Sequence, residues 1–140
     1  MKQEELFLSI EQCKHLQELG LDMSDAALCY LYFIDDNGNK YARPYFCSDL
    51  CDSDKFIYTY TLQEIMNRLP KKIEIEGWDY LAEINIEYFH DFNDWQIWYE
   101  HYKIGCIDEF YAHGTELIDA AFKMLYYVVE NGWLDDLIKL

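Results

Sequence analysis

Basic residues are scarce in this chain. Eleven lysines and arginines stand against twenty-seven aspartates and glutamates, a formal net charge of −16. A surface of that sign repels nucleic-acid phosphates and anionic lipid, which argues against direct binding to either. It leaves basic proteins or cations as partners, and acidity alone also serves solubility. Long apolar runs are missing as well: none approaches the roughly eighteen residues of a membrane span. The opening Met1-Lys2-Gln3-Glu4-Glu5 lacks the basic-then-apolar order of a secretory signal, so a cytoplasmic location is expected. Glycine is limited to six residues, and neither G-x-x-x-x-G-K-S/T nor G-x-G-x-x-G occurs, which argues against nucleotide chemistry. No strand-to-helix elbow presents a serine or cysteine nucleophile. No internal repeat and no Pro/Gly/Ser-rich linker interrupts the 140 residues, a length suited to one domain spanning 1–140.

What is present is apolar and aromatic. Apolar residues make up 51% and aromatics 18%, which takes the chain out of the disordered class despite its charge. The longest periodic segment is Thr115 to Leu134. At 100° per residue, Leu117, Ile118, Ala121, Met124, Leu125, Val128 and Val129 share one arc, while Glu116, Asp119, Lys123 and Glu130 share the other. Thr115 is the expected N-cap, and Asn131-Gly132 the stop onto which Trp133 and Leu134 fold back. A first helix is expected over Ser9 to Gly20, opened by a Ser9/Gln12 capping box. A short third one follows Thr61-Leu62-Gln63-Glu64 and stops before Pro70.

Leu28 to Ile34 is dense in branched and aromatic residues and reads as a strand buried on both faces. Asn37-Gly38 suggests a two-residue turn, with Lys40 to Phe46 returning so that Ile34 faces Tyr41; Pro44 places that return strand at a sheet edge. Short strands are expected over Lys55 to Tyr60 and Ile73 to Glu76, with Trp78 to Leu81 continuing the latter. Ala82 to Phe89 and Trp95 to Lys103 form a hairpin through His90 to Asn93. Pairing Ile86 with Ile97, Ile84 with Tyr99 and Tyr88 with Trp95 gathers the apolar residues on one face. The other face then holds Glu83, Asn85, Glu87, Gln96, Trp98 and Glu100. Ile104 to Gly114 reads as a connection. The expected fold is α+β: an antiparallel sheet of two hairpins or a meander, with an N-terminal helix, a short middle helix and a long C-terminal helix packed on it.

Candidate chemistry is sparse. Five cysteines without a secretion signal read as reduced thiols, mostly small core residues. Cys47 and Cys51 have a spacing that metal sites tolerate, and Cys106, His90, His101 or His113 could complete four ligands, but no second close pair exists. Asp35-Asp36-Asn37-Gly38-Asn39 fails as a calcium loop, because Lys40 falls where the glycine belongs and Phe46 where the glutamate belongs. No cofactor is called for. The most distinctive surface is Trp98 among Glu83, Glu87 and Glu100, with Tyr102 further along; an aromatic set among carboxylates suits a cationic or basic partner. A covering helix or a dimer contact would explain the same face.

Two stretches carry a resemblance. Tyr60-Thr61-Leu62-Gln63-Glu64-Ile65 through Leu69-Pro70-Lys71, and Glu116-Leu117-Ile118-Asp119-Ala120-Ala121 through Glu130-Asn131-Gly132-Trp133-Leu134, resemble small uncharacterised proteins of phages and mobile elements from anaerobic gut bacteria. The shared pattern is one of capping and packing, from about Lys55 onward. It implies a small accessory or interaction protein of the bacterial cytoplasm, and it transfers no site residue.

Three functional readings follow. The first is a non-catalytic protein–protein interaction module, not an enzyme, binding through the Trp98 face. The second is a DNA-mimicking inhibitor that occupies the basic groove of a nucleic-acid-binding protein. The third is a metal-binding protein or enzyme using Cys47, Cys51 and a histidine. Thirteen tyrosines and four tryptophans are more than one small core encloses, so a homodimer through the sheet face or the Tyr126/Tyr127 edge is also an expectation.

Overall fold

The computed structural model describes residues 6–49, 55–74, 81–101, 103 and 105–132. The chain is α+β and divides into two compact units, Met1–Glu64 and Ile65–Leu140. Among the described residues the strands form two antiparallel sheets. Among the described residues, no helix is long and apolar enough to cross a membrane.

The first unit holds α1 (Ile10–Glu18), β1 (Leu28–Ile34), β2 (Lys40–Phe46) and β3 (Phe56–Thr59), with strand order β2-β1-β3. The expected capping box opens α1: the Ser9 hydroxyl accepts from the Gln12 amide at 3.2 Å, and the Gln12 side chain accepts from the Ser9 amide at 3.0 Å. Gly20 ends the turn after it at φ +91°. Cys13 and Leu16 of α1 are buried, as are Leu8, Met23, Cys29 and Tyr60 of the same unit. Tyr30 and Thr59 both donate to the Leu8 carbonyl, at 2.6 and 2.9 Å, which ties the entry segment to β1 and β3.

Two expectations fail here. The strand β1 is central, yet it is not buried on both faces: Cys29 is its one buried residue, and Ile34 is 68% exposed. The hairpin register is also one residue off, because Ile34 faces Lys40 and Phe33 faces Tyr41. The reason is the loop. The Asp35 amide donates to the Asn39 carbonyl at 2.9 Å, and the Gly38 amide donates to the Asp35 carbonyl at 3.0 Å. Gly38 is left-handed at φ +80°. That is a three-residue loop with a glycine bulge, not a two-residue turn. The Asp35 carboxylate selects it by accepting from the amides of Asn37 (2.9 Å) and Asn39 (2.8 Å). Asp35→Ala is expected to lower unfolding stability by about 1 kcal/mol, measured by urea denaturation, with no change in the burial-dependent slope.

The linking helix α2 (Leu62–Arg68) starts at the expected capping box. The Glu64 amide donates to the Thr61 hydroxyl at 3.1 Å, and the Glu64 carboxylate accepts from the Thr61 amide at 3.0 Å. The other Glu64 oxygen accepts from the Ala27 amide at 3.2 Å.

The second unit holds β4 (Lys72–Ile73), β5 (Ala82–Phe89), β6 (Asp94–His101), β7 (Gly105–Gly114) and α3 (Leu117–Glu130), with strand order β4-β5-β6-β7. The β5/β6 register is the expected one: Ile86 faces Ile97, Ile84 faces Tyr99 and Tyr88 faces Trp95. The strand β4 is shorter than expected at its described end, and Trp78 lies outside the described residues. The segment expected to be a connection is instead the ten-residue strand β7. A bulge disguises it. Trp98 faces Tyr111 and Glu100 faces Cys106, so β6 spans Tyr99 where β7 spans Ile107–Phe110.

The helix α3 packs on β6 and β7. Ile118, Ala121, Met124, Leu125 and Val128 are buried against the inner face with Ile97, Tyr99 and Ala112. Thr115 is not the cap. Glu116 holds that position at φ −106° and ψ 146°, without a side-chain hydrogen bond. The helix stops as expected, with Gly132 left-handed at φ +74° and the Asn131 side-chain amide donating to the Tyr127 carbonyl at 2.7 Å. Trp133 and Leu134 lie outside the described residues.

Candidate functional site

Alternation along β5 and β6 sends every second side chain away from α3. On that outer face the register builds successive rungs. Glu87 faces Gln96, which faces His113. Asn85 faces Trp98, which faces Tyr111. Glu83 faces Glu100, which faces Cys106. The structure therefore brings Trp98, Glu83, Glu87 and Glu100 onto one face, as the alternation implies. Tyr102 lies outside the described residues. The three glutamates are exposed, and Glu83 meets the Lys72 ammonium at 3.5 Å.

The face is not flat. Phe89 and Phe92, at and beyond the end of β5, rise beside Trp98 and Tyr111 to bound a groove of about 470 Å³. Trp98 is its centre: its ring lies 6.0 Å from Phe89 and 6.3 Å from Tyr111, the latter at an interplanar angle of 29°. Phe92 projects from the turn, 71% exposed. Asp94 is held inside the groove. One of its oxygens accepts from the Gln96 side-chain amide at 3.0 Å, and the other lies 3.4 Å from Nδ1 of His113. Gln96 is only 7% exposed, an unusual position for an amide on the open face of a sheet. Burial, then the neighbouring Cys106 and Asp94, push the Tyr111 phenol above its ordinary value, so it stays a neutral hydroxyl.

The glutamates and Trp98 were legible from the period of two. Phe89, Phe92, Asp94, Tyr111 and His113 were not singled out by it. Tyr111 and His113 alternate with the buried Ala112, which is a strand signal. Buried Ile107 and Phe110 are three apart, however, and the bulge breaks the pattern upstream.

The thiol candidates sit in different settings. Cys47 begins a single 3-10 turn, Cys47–Asp49, and its amide donates to the Ala27 carbonyl at 2.9 Å. Burial pushes its thiol above the ordinary value, helped by the Glu64 carboxylate and opposed by a hydrogen bond with Cys29. Both a nucleophile and a zinc ligand need the thiolate, which this setting disfavours. Cys51 lies outside the described residues. Cys106 and His113 line the groove, His101 is buried on the α3 side, and His90 stacks edge-on against Tyr88 at 4.9 Å. Among the described residues, no group of three or more His, Cys, Asp or Glu side chains is placed to hold a metal ion.

No protein-family model, no curated protein and no solved structure matches the chain.

Proposed function

We propose that the protein is a non-catalytic binding module that engages a basic protein partner through the outer face of its four-stranded sheet. The observation that carries this reading is Trp98, half-buried at the centre of an aromatic groove, with the exposed carboxylates of Glu83, Glu87 and Glu100 on the same face. Aromatic anchors supply contact area at little entropic cost, and a carboxylate rim steers and registers a basic surface. The chain's formal charge of −16 adds long-range attraction for such a partner. A small accessory protein of the bacterial cytoplasm, as the resemblance implies, suits this role.

The test is capture from lysate of the source cell by wild-type protein and by the double variant Trp98→Ala, Glu100→Gln, with low- and high-salt washes. Wild type is expected to retain a basic protein that salt releases. The variant is expected to bind it about 30-fold or more weaker, the loss typical of an anchor residue, with unchanged circular dichroism. Equal capture by both proteins would place the interaction elsewhere. A retained nucleic-acid-binding protein that duplex DNA displaces would favour the DNA-mimic reading, and return of the bait's own copies alone would make the face a homodimer contact.

A further inference from the structure

The groove beside Trp98 has a definite chemistry. Four rings, Phe89, Phe92, Trp98 and Tyr111, surround the Asp94 carboxylate, and among the described residues no lysine or arginine lines the space. The rings' faces are negative and attract a cation. Asp94 is fixed in place, because Gln96 donates to one of its oxygens at 3.0 Å and His113 lies 3.4 Å from the other. A carboxylate has about four acceptor directions, so these neighbours leave it lone pairs to offer a further donor. An anion entering the groove would meet Asp94 with Glu87 and Glu100 on the same sheet face.

Two biological cations could enter. An ammonium is compact and strongly hydrated, so it gives up much on leaving water for a ring-lined space. A guanidinium is planar and weakly hydrated. It stacks on aromatic faces while its edge donates to a carboxylate, and its methylene stem covers apolar surface. The groove's volume of about 470 Å³ accommodates a whole arginine side chain with its flanking backbone. We infer that the groove is a socket for an arginine side chain of the partner, with the guanidinium packed against Trp98 and donating to Asp94. This inference rests on the binding reading above and names the partner's anchor residue.

The test uses the full chain and a short capped peptide, Gly-Arg-Gly, against the same peptide with lysine. Nitrogen-15 correlation spectra would follow the Trp98 indole and the Gln96 side-chain amide. The arginine peptide is expected to shift both signals saturably and to bind about tenfold tighter than the lysine peptide. Asp94→Asn, of nearly the same shape, is expected to weaken the arginine peptide about tenfold or more while the remaining spectrum stays in place. Equal binding of the two peptides, shifts confined to other residues, or undiminished binding by Asp94→Asn would each overturn the socket. If the peptide fails but the Trp98/Glu100 variant still loses its partner, the socket is wrong and the interaction face stands. If that variant also keeps its partner, the face itself is wrong.

Discussion

Gly114→Ala is expected to destabilise the second unit by about 2–3 kcal/mol, within the range of overpacked sites. Gly114 closes β7, two residues before the Glu116 N-cap of α3. A Cβ built on it would lie 2.9 Å from the Asp119 Cβ, 3.0 Å from the Ala120 nitrogen and 3.2 Å from the Glu116 carbonyl oxygen. Two of those three atoms are backbone, so no rotamer change relieves the contact. Either the strand end or the first turn of α3 must shift, and Glu116 offers no side-chain cap to hold that turn. Valine at the same position adds two methyls to the same space and is expected to cost more. Urea denaturation of the two variants would measure both effects. Unchanged midpoints would mean that the strand-to-helix junction yields freely.

Tyr99→Ala is expected to cost about 4 kcal/mol, as for other large aromatic truncations, and Tyr99→Phe only about 1–2 kcal/mol. Tyr99 is fully buried, meets Phe110 edge-on at 6.4 Å, and donates its hydroxyl to the Pro70 carbonyl at 2.6 Å. The alanine variant opens a cavity, whereas the phenylalanine variant leaves only the carbonyl unmet. Burial also pushes the Tyr99 phenol well above its ordinary value of 10.0. Burial, with Cys13 adding to it, pushes Tyr30 up to about 12. A folded-state value raised above the unfolded one gives stability that is fully present below pH 10 and is lost as pH rises through the folded value. The protein is therefore expected to unfold in alkali, over a window beginning above pH 10. Phenolate absorbance should show Tyr99 ionising only with that transition. In Tyr99→Phe the alkaline loss of stability should be shallower.

The parts of the fold that were legible are those in which two patterns agree. On β5 and β6, apolar alternation on both strands admits one register, and the observed pairs Ile84/Tyr99 and Ile86/Ile97 are that register. The capping boxes at Ser9 and Thr61 are local and survive any tertiary context. Where one side chain arbitrates, the pattern is silent. Asp35 chooses between loop lengths by accepting two amides, and that choice moves every pair of β1 and β2 by one residue. The strand β7 was hidden for a similar reason, since its bulge destroys the period of two between Cys106 and Tyr111. The candidate site divides along the same line: the carboxylates and Trp98 follow from regular alternation, while Tyr111, His113 and Phe92 come from the irregular strand and the turn.

The proline of β2 has a consequence for how copies of this chain meet. Ala27/Cys47 and Asp35/Asn39 are joined by backbone hydrogen bonds at the two ends of the β1/β2 hairpin. In an antiparallel pair such rungs alternate with unbonded ones, so Tyr30/Pro44 falls in the unbonded class. The ring nitrogen of Pro44 thus faces outward, along the open rim of the sheet. An incoming strand would find no donor there, and Lys40 and Arg43 on the same strand add charge. The opposite rim, β3, is four residues long and offers a short template. Growth of this sheet into a chain-to-chain ladder is disfavoured at one rim and has only a short template at the other. That guards a strand set rich in exposed tyrosine and phenylalanine against fibrillar stacking.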